Sequence, residues 1–135
     1  MTAHAELSPS ASGVYRTPAA IERLQAATER AGAAWKALEL AGVADKASLL
    51  EALARALALP DTFGANWDAL ADSVEDLPVE ARGYVVRLRH ASPARLGADW
   101  AMLLDILREG ALYWKTRGRA FIVFVDDAGE LPPWQ

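Results

Sequence analysis

Residues 57–72 read LALPDTFGANWDALAD, and this stretch decides the interpretation of the whole chain. One helix ends at Pro60, a turn follows, and Asn66 has the side chain of a helix cap. A new helix is therefore predicted over residues 67–75. Its apolar residues recur at helical spacing and form one stripe, which consists of Trp67, Leu70, Ala71 and Val74.

The other face of this predicted helix is acidic. Asp68 and Asp72 lie four residues apart and therefore share a face, which Glu75 and Asp76 extend. Each pair of like charges at this spacing destabilises a helix by roughly 0.2–0.5 kcal/mol, although the helix dipole favours an acid in the first turn, where Asp68 lies. The acidic face is either a solvated surface or a site for a cationic partner.

Charge is distributed unevenly around this helix. Residues 60–80 contain six acidic and no basic residues, whereas residues 81–119 contain eight basic and three acidic ones. The net charge of −4 disfavours a general nucleic-acid binder. Arg87 and Arg89 are expected on the exposed face of a strand, so direct binding of nucleic acid is not predicted. The acidic block indicates a basic partner instead.

The composition excludes several other classes of function. The chain has 135 residues, 53% of them hydrophobic, and no cysteine, which is typical of one folded domain without disulfides or thiol chemistry. His4 and His90 have no metal-ligand spacing, and there is no glycine-rich phosphate loop. We therefore expect no cofactor, no metal and no catalysis. No signal peptide or membrane-spanning stretch is present, which predicts a cytoplasmic protein without a membrane partner.

The rest of the chain alternates predicted strands and helices. Strands are predicted at 34–40, 84–89 and 120–125, and helices at 18–31, 45–59 and 100–117. Helices between the strands imply a small parallel sheet with right-handed connections. Residues 1–17 are predicted to be a flexible arm, 18–32 an added N-terminal helix, 33–126 the main domain and 127–135 an irregular tail.

The run Leu-Pro, then Phe-Gly-x-Asn-x-Asp-Ala-Leu and Asp, within residues 59–72, closely resembles the signature of the barstar family of ribonuclease inhibitors. The wider resemblance covers residues 35–125. It implies an α/β fold with a three-stranded parallel sheet packed by helices, here with an extra N-terminal helix. It also implies a partner: a barnase-type ribonuclease or toxin, whose basic active site is occluded by carboxylates that stand in for RNA phosphates.

The resemblance assigns roles to individual residues. Asp72 matches the acid that enters the catalytic centre of the ribonuclease, and Asp68 and Asn66 match the contacts beside it. The family contributes one more acid from the long helix, and here two alignments select Glu109 or Tyr113.

Two positions depart from the family pattern. Thr62, which we still expect to contact the partner, and Ala71 stand where the family has aromatic residues, which implies a smaller contact area with barnase itself.

Two other functions remain open from the residues alone. The domain could be a non-inhibitory acidic module that docks on a basic protein. It could also be a metal-dependent phosphodiesterase that uses Asp68 and Asp72 as ligands, but the sequence offers no third ligand at suitable spacing.

Overall fold

The computed structural model describes residues 8–60, 64, 66–79 and 81–134. The strands are β1 (Gly13–Arg16), β2 (Ala34–Glu39), β3 (Gly83–Arg89) and β4 (Ala120–Val125). The helices are α1 (Ile21–Arg30), α2 (Lys46–Ala56), α3 (Trp67–Glu75), α4 (Pro93–Leu96) and α5 (Ala98–Lys115).

The strands form one parallel sheet in the order β1-β4-β3-β2. The parallel arrangement of the three predicted strands is confirmed, but the sheet has four strands rather than three. The additional strand, β1, pairs with β4 from Gly13 opposite Ile122 to Arg16 opposite Val125. Its four residues are too few to show a strand period, so the sequence predicted a flexible arm where the structure has a strand.

The helix that follows β1 begins later than predicted. Thr17 and Pro18 resemble a helix start, yet α1 begins at Ile21. The Thr17 hydroxyl donates a hydrogen bond to the Asp126 carboxylate just after β4, so it does not cap a helix. The side chain joins the ends of two strands instead.

The sheet is covered on both faces. One face carries the larger core, in which α2, α3 and α5 pack against Phe121 and Val123 of β4. The opposite face is covered by α1, through Ile21 and Leu24, and packs around Ile122 and Phe124. All six residues of β4 are buried, as the unbroken apolar run AFIVFV predicted.

The tail folds back over β1. Pro133 forms a bridge with Arg16, and the Trp134 ring meets Tyr15 and Phe124 edge-on, at centroid distances of 5.0 and 5.2 Å. The predicted irregular tail therefore covers the edge of the sheet that β1 forms.

An ion pair connects β3 with the end of β4. Arg87 donates to both carboxylate oxygens of Asp126, at 3.0 and 2.9 Å, and is half-buried rather than exposed as expected. Partial burial alone would raise the pKa of Asp126, but hydrogen bonds from Arg87 and Thr17 outweigh it and hold that pKa below its usual value.

None of the helices in the described ranges is long and apolar enough to span a membrane.

Candidate functional site

Helix α3 has the predicted bounds and the predicted cap. The Asn66 side-chain oxygen accepts a hydrogen bond from the Ala69 N–H at 2.7 Å, which satisfies one of the free donors of the first turn. Leu70 and Val74 are fully buried, while Trp67 is half-buried against the same core. The apolar stripe thus faces the sheet, and the acidic face points to solvent.

The carboxylates of Asp68, Asp72 and Glu75 in α3, and of Asp76 directly after it, are exposed, as expected. The ion pairs found within the described residues involve other acids, namely Glu39, Glu51, Asp105 and Asp126. In that part of the chain the acidic face therefore has no cation of its own. Any cationic partner can approach these carboxylates without first displacing an arginine or lysine.

Helix α3 is fixed to α5 by a close contact that the sequence did not reveal. Gly110 lies in α5 directly against Val74, and a Cβ atom built on Gly110 would be 2.5 Å from Val74 Cγ1. The Trp114 indole nitrogen donates to the Val74 carbonyl at 2.9 Å, in the last turn of α3. These two contacts hold the position of α3, and therefore of its acidic face. A glycine in the middle of an otherwise helical pattern was the available signal.

Both candidate residues of α5 lie beside these contact points. Glu109 precedes Gly110 and is exposed, whereas Tyr113 precedes Trp114 and is half-buried. The Arg117 guanidinium lies 3.6 Å from the centroid of the Tyr113 ring and donates to the Tyr113 carbonyl at 3.2 Å. The Tyr113 ring is thus partly covered by the Arg117 side chain, whereas no such contact is found for Glu109 among the described residues.

Two further side chains on or beside these helices were not predicted. Leu112 is 60% exposed, one turn beyond Glu109 on α5. Lys46 places its ammonium nitrogen 5.9 Å from the centroid of the Trp67 ring, at the N-terminal end of α3. Neither was identified from the sequence, because helical periodicity does not show how exposed a side chain outside the apolar stripe is, or which neighbouring element it contacts.

The loop before α3 is described only in part. Thr62, the predicted contact residue of this loop, lies outside the described residues. Gly64 is described, and its carbonyl accepts a hydrogen bond from the Asn66 side-chain amide at 3.4 Å. The Asn66 side chain therefore binds both the loop and the helix, and its own role here is to fix the start of α3.

No group of three or more metal-binding side chains occurs in the described ranges. A family model described as Barstar (barnase inhibitor) matches residues 33–126, which is more than half of the chain. The match begins just before β2 and ends just after β4, so it includes α3 and α5 and leaves out β1 and α1. No curated protein matches the chain.

Proposed function

The chain belongs to the barstar family of barnase inhibitors, and on that basis we propose that it inhibits a barnase-type ribonuclease with the acidic face of α3. One observation carries the proposal: α3 is fixed to α5, and the three exposed carboxylates on it, with that of Asp76 at its C-terminal end, have no ion-pair partner within the described residues. The chain itself performs no catalysis. It acts by filling the active site of its partner.

Carboxylates suit this role for a chemical reason. A ribonuclease binds RNA phosphates through a fixed array of cationic side chains, and a carboxylate can accept the same charge-assisted hydrogen bonds. Because the acids of α3 are not engaged in ion pairs within the described residues, binding does not require breaking one.

We assign the central position to Asp72. It lies in the middle of α3, where partner atoms can surround it and exclude water, and such positions carry most of the energy of an interface. Asp68 and Asn66 flank it on the side of the helix start, and Glu75 and Asp76 form the other edge. Charges at an edge mainly accelerate association, an effect for which the barnase–barstar pair is itself a reference example.

Helix α5 contributes the second part of the surface. Glu109 is exposed and uncovered, so we propose it as the additional carboxylate, with Leu112 as an apolar contact beside it. Tyr113 lies under Arg117 and would contribute the edge of its ring. Ala71 is half-buried and small, and Thr62 also replaces an aromatic residue of the family, so we expect barnase itself to be inhibited more weakly than the cognate ribonuclease.

The proposal is tested by capturing a ribonuclease from the source cells on the immobilised chain and titrating its RNA cleavage with the parent protein and with variants. Asp72→Ala should weaken inhibition by at least ~30-fold, equivalent to the ~2 kcal/mol of a hot spot, mainly through faster dissociation. Glu22→Ala is the matched control: it removes the same charge from an exposed position on α1, across the sheet from α3.

Two results would contradict the proposal. Equal inhibition by Asp72→Ala and the parent would exclude the carboxylate mechanism. Capture of a basic protein without RNA-cleaving activity, released by Asp72→Ala, would indicate a non-inhibitory acidic module on the same fold.

A further inference from the structure

A surface cavity has an arginine-rich lining. Its volume is about 400 Å³, and it is formed by the segment after α3 and the turn after α5. Its lining residues are Val79, Arg82, Arg117, Gly118 and Arg119. Among the described residues of this lining, the charged side chains are three guanidinium groups.

The side chains of Arg117 and Arg119 are held by hydrogen bonds, whereas Arg82 is held through its backbone and the methylenes of its side chain. Arg119 donates to the Ala81 carbonyl at 2.6 Å and is half-buried. Arg117 lies over the Tyr113 ring and donates to the Tyr113 carbonyl. The backbone N–H of Arg82 donates to the Gly32 carbonyl at 3.2 Å, and its side-chain methylenes pass so close to Gly32 that a Cβ there would be 3.3 Å away.

These contacts leave most of the donors free. A guanidinium has five N–H donors, and Arg119 uses one of its nitrogens for the Ala81 carbonyl while Arg117 uses one for Tyr113 and Thr116. Within the described residues none of the three arginines forms an ion pair, although Arg55, Arg87 and Arg108 do. Three positive charges therefore share one cavity without a described counter-charge.

We propose that this cavity is a binding site for a small phosphate-bearing anion, such as a nucleoside diphosphate. The planar guanidinium matches two phosphate oxygens at once, and arginines whose side chains are already held, here Arg117 and Arg119, bind such groups with little loss of freedom. The volume lies within the range of about 300–1,000 Å³ that is typical of small-molecule sites. The lining is mostly polar, and Val79, which is 58% exposed, is its apolar side chain.

The surroundings favour a compact anion over a nucleic-acid strand. The exposed acids Glu75 and Asp76 lie at the end of α3, a few residues before Val79, and would repel an extended phosphate backbone. The chain as a whole carries a net charge of −4.

The test is calorimetric titration of the full chain at constant ionic strength with inorganic phosphate, pyrophosphate and ADP as probes. We expect binding at one site, with a dissociation constant of about 1 mM or below for pyrophosphate. Arg82→Gln and Arg117→Gln should each weaken this binding at least tenfold, because each removes charge-assisted hydrogen bonds. Arg55→Gln is the matched control, since it removes one exposed arginine of α2 that contacts only Glu51 at 3.9 Å.

Thermal melting of each variant shows whether it is folded. If Arg117→Gln does not fold, Arg82→Gln alone still tests the proposal. Absence of pyrophosphate binding to the parent would overturn the proposal. Equal binding of pyrophosphate by Arg82→Gln, Arg55→Gln and the parent would also overturn it, because the arginines of the cavity would then not bind the anion together. Tighter binding of a single-stranded RNA oligonucleotide than of ADP would also overturn it. The Arg82→Gln result is independent of ribonuclease inhibition, because Arg82 has no part in the proposed inhibitory surface, whereas Arg117 lies over Tyr113, which does.

Discussion

The contact between Gly110 and Val74 offers the sharpest test of how α3 is positioned. Gly110→Ala introduces a Cβ atom 2.5 Å from Val74 Cγ1, whereas carbon atoms in contact lie about 3.5–4.0 Å apart. Val74 is fully buried, and a valine in a helix has essentially one side-chain rotamer, so it cannot turn away. The two helices must therefore separate by about 1 Å to accommodate the methyl group.

The net effect on stability follows from two opposing contributions. Overpacking of this kind destabilises by about 1–3 kcal/mol. Alanine is a better helix former than glycine by about 1 kcal/mol, which offsets part of that loss. We expect Gly110→Ala to lower the free energy of unfolding by about 1 kcal/mol, and to weaken ribonuclease inhibition because the acidic face moves with α3.

A double-mutant cycle separates the clash from the helix propensity. Val74→Ala alone leaves a cavity, but together with Gly110→Ala it removes the clash and the new methyl fills part of the space. The loss of unfolding free energy in the double variant should therefore be smaller than the sum of the losses in the two single variants, by about 1–3 kcal/mol.

The free energy of unfolding is measured by urea denaturation. The dependence of that free energy on urea concentration is compared among the variants, because an equal slope shows that the variants unfold in the same way. Gly129→Ala is a matched control, because a Cβ there meets no atom within 4 Å, and it should change stability by less than about 0.5 kcal/mol. An unchanged or increased stability of Gly110→Ala, together with an additive cycle, would refute the close contact between α3 and α5.

Three further predictions concern the same framework. Trp114→Phe removes the indole donor to the Val74 carbonyl and should destabilise the fold by about 1–3 kcal/mol in urea denaturation; a loss below about 0.5 kcal/mol would contradict a role for that hydrogen bond. The stabilisation from Asp126, whose pKa is lowered in the folded state, is fully present above the ordinary carboxyl pKa of about 4 and is lost as the pH falls through the folded value. Asp126→Asn should therefore be less stable than the parent by about 2 kcal/mol at pH 7, and the difference should shrink below about pH 4. A difference that does not change with pH would contradict a stabilising role for the Asp126 carboxylate. Deletion of residues 1–16 removes β1 and exposes the edge of β4, so the melting temperature should fall while the folded remainder still inhibits the ribonuclease; loss of inhibition at a temperature where the deletion variant is folded would instead place this segment in the interface.

Local patterns in the sequence determined the elements that form the acidic face. The apolar stripe, the Asn66 cap and the positions of the acids predicted α3 with its observed bounds, because capping and helical periodicity act within a few residues. The run AFIVFV likewise predicted a strand buried on both faces, since only apolar side chains can occupy both sides of such a strand. The family resemblance rests on the same local stretch.

The tertiary structure alone decided which distant segments meet. Strand β1 has no strand pattern of its own and exists through its pairing with β4, more than a hundred residues later. The packing of Gly110 on Val74 and the gathering of Arg82, Arg117 and Arg119 around one cavity join segments about 35 residues apart. A sequence pattern reports the forces between near neighbours, whereas these contacts depend on how whole helices and strands pack, which no local stretch encodes.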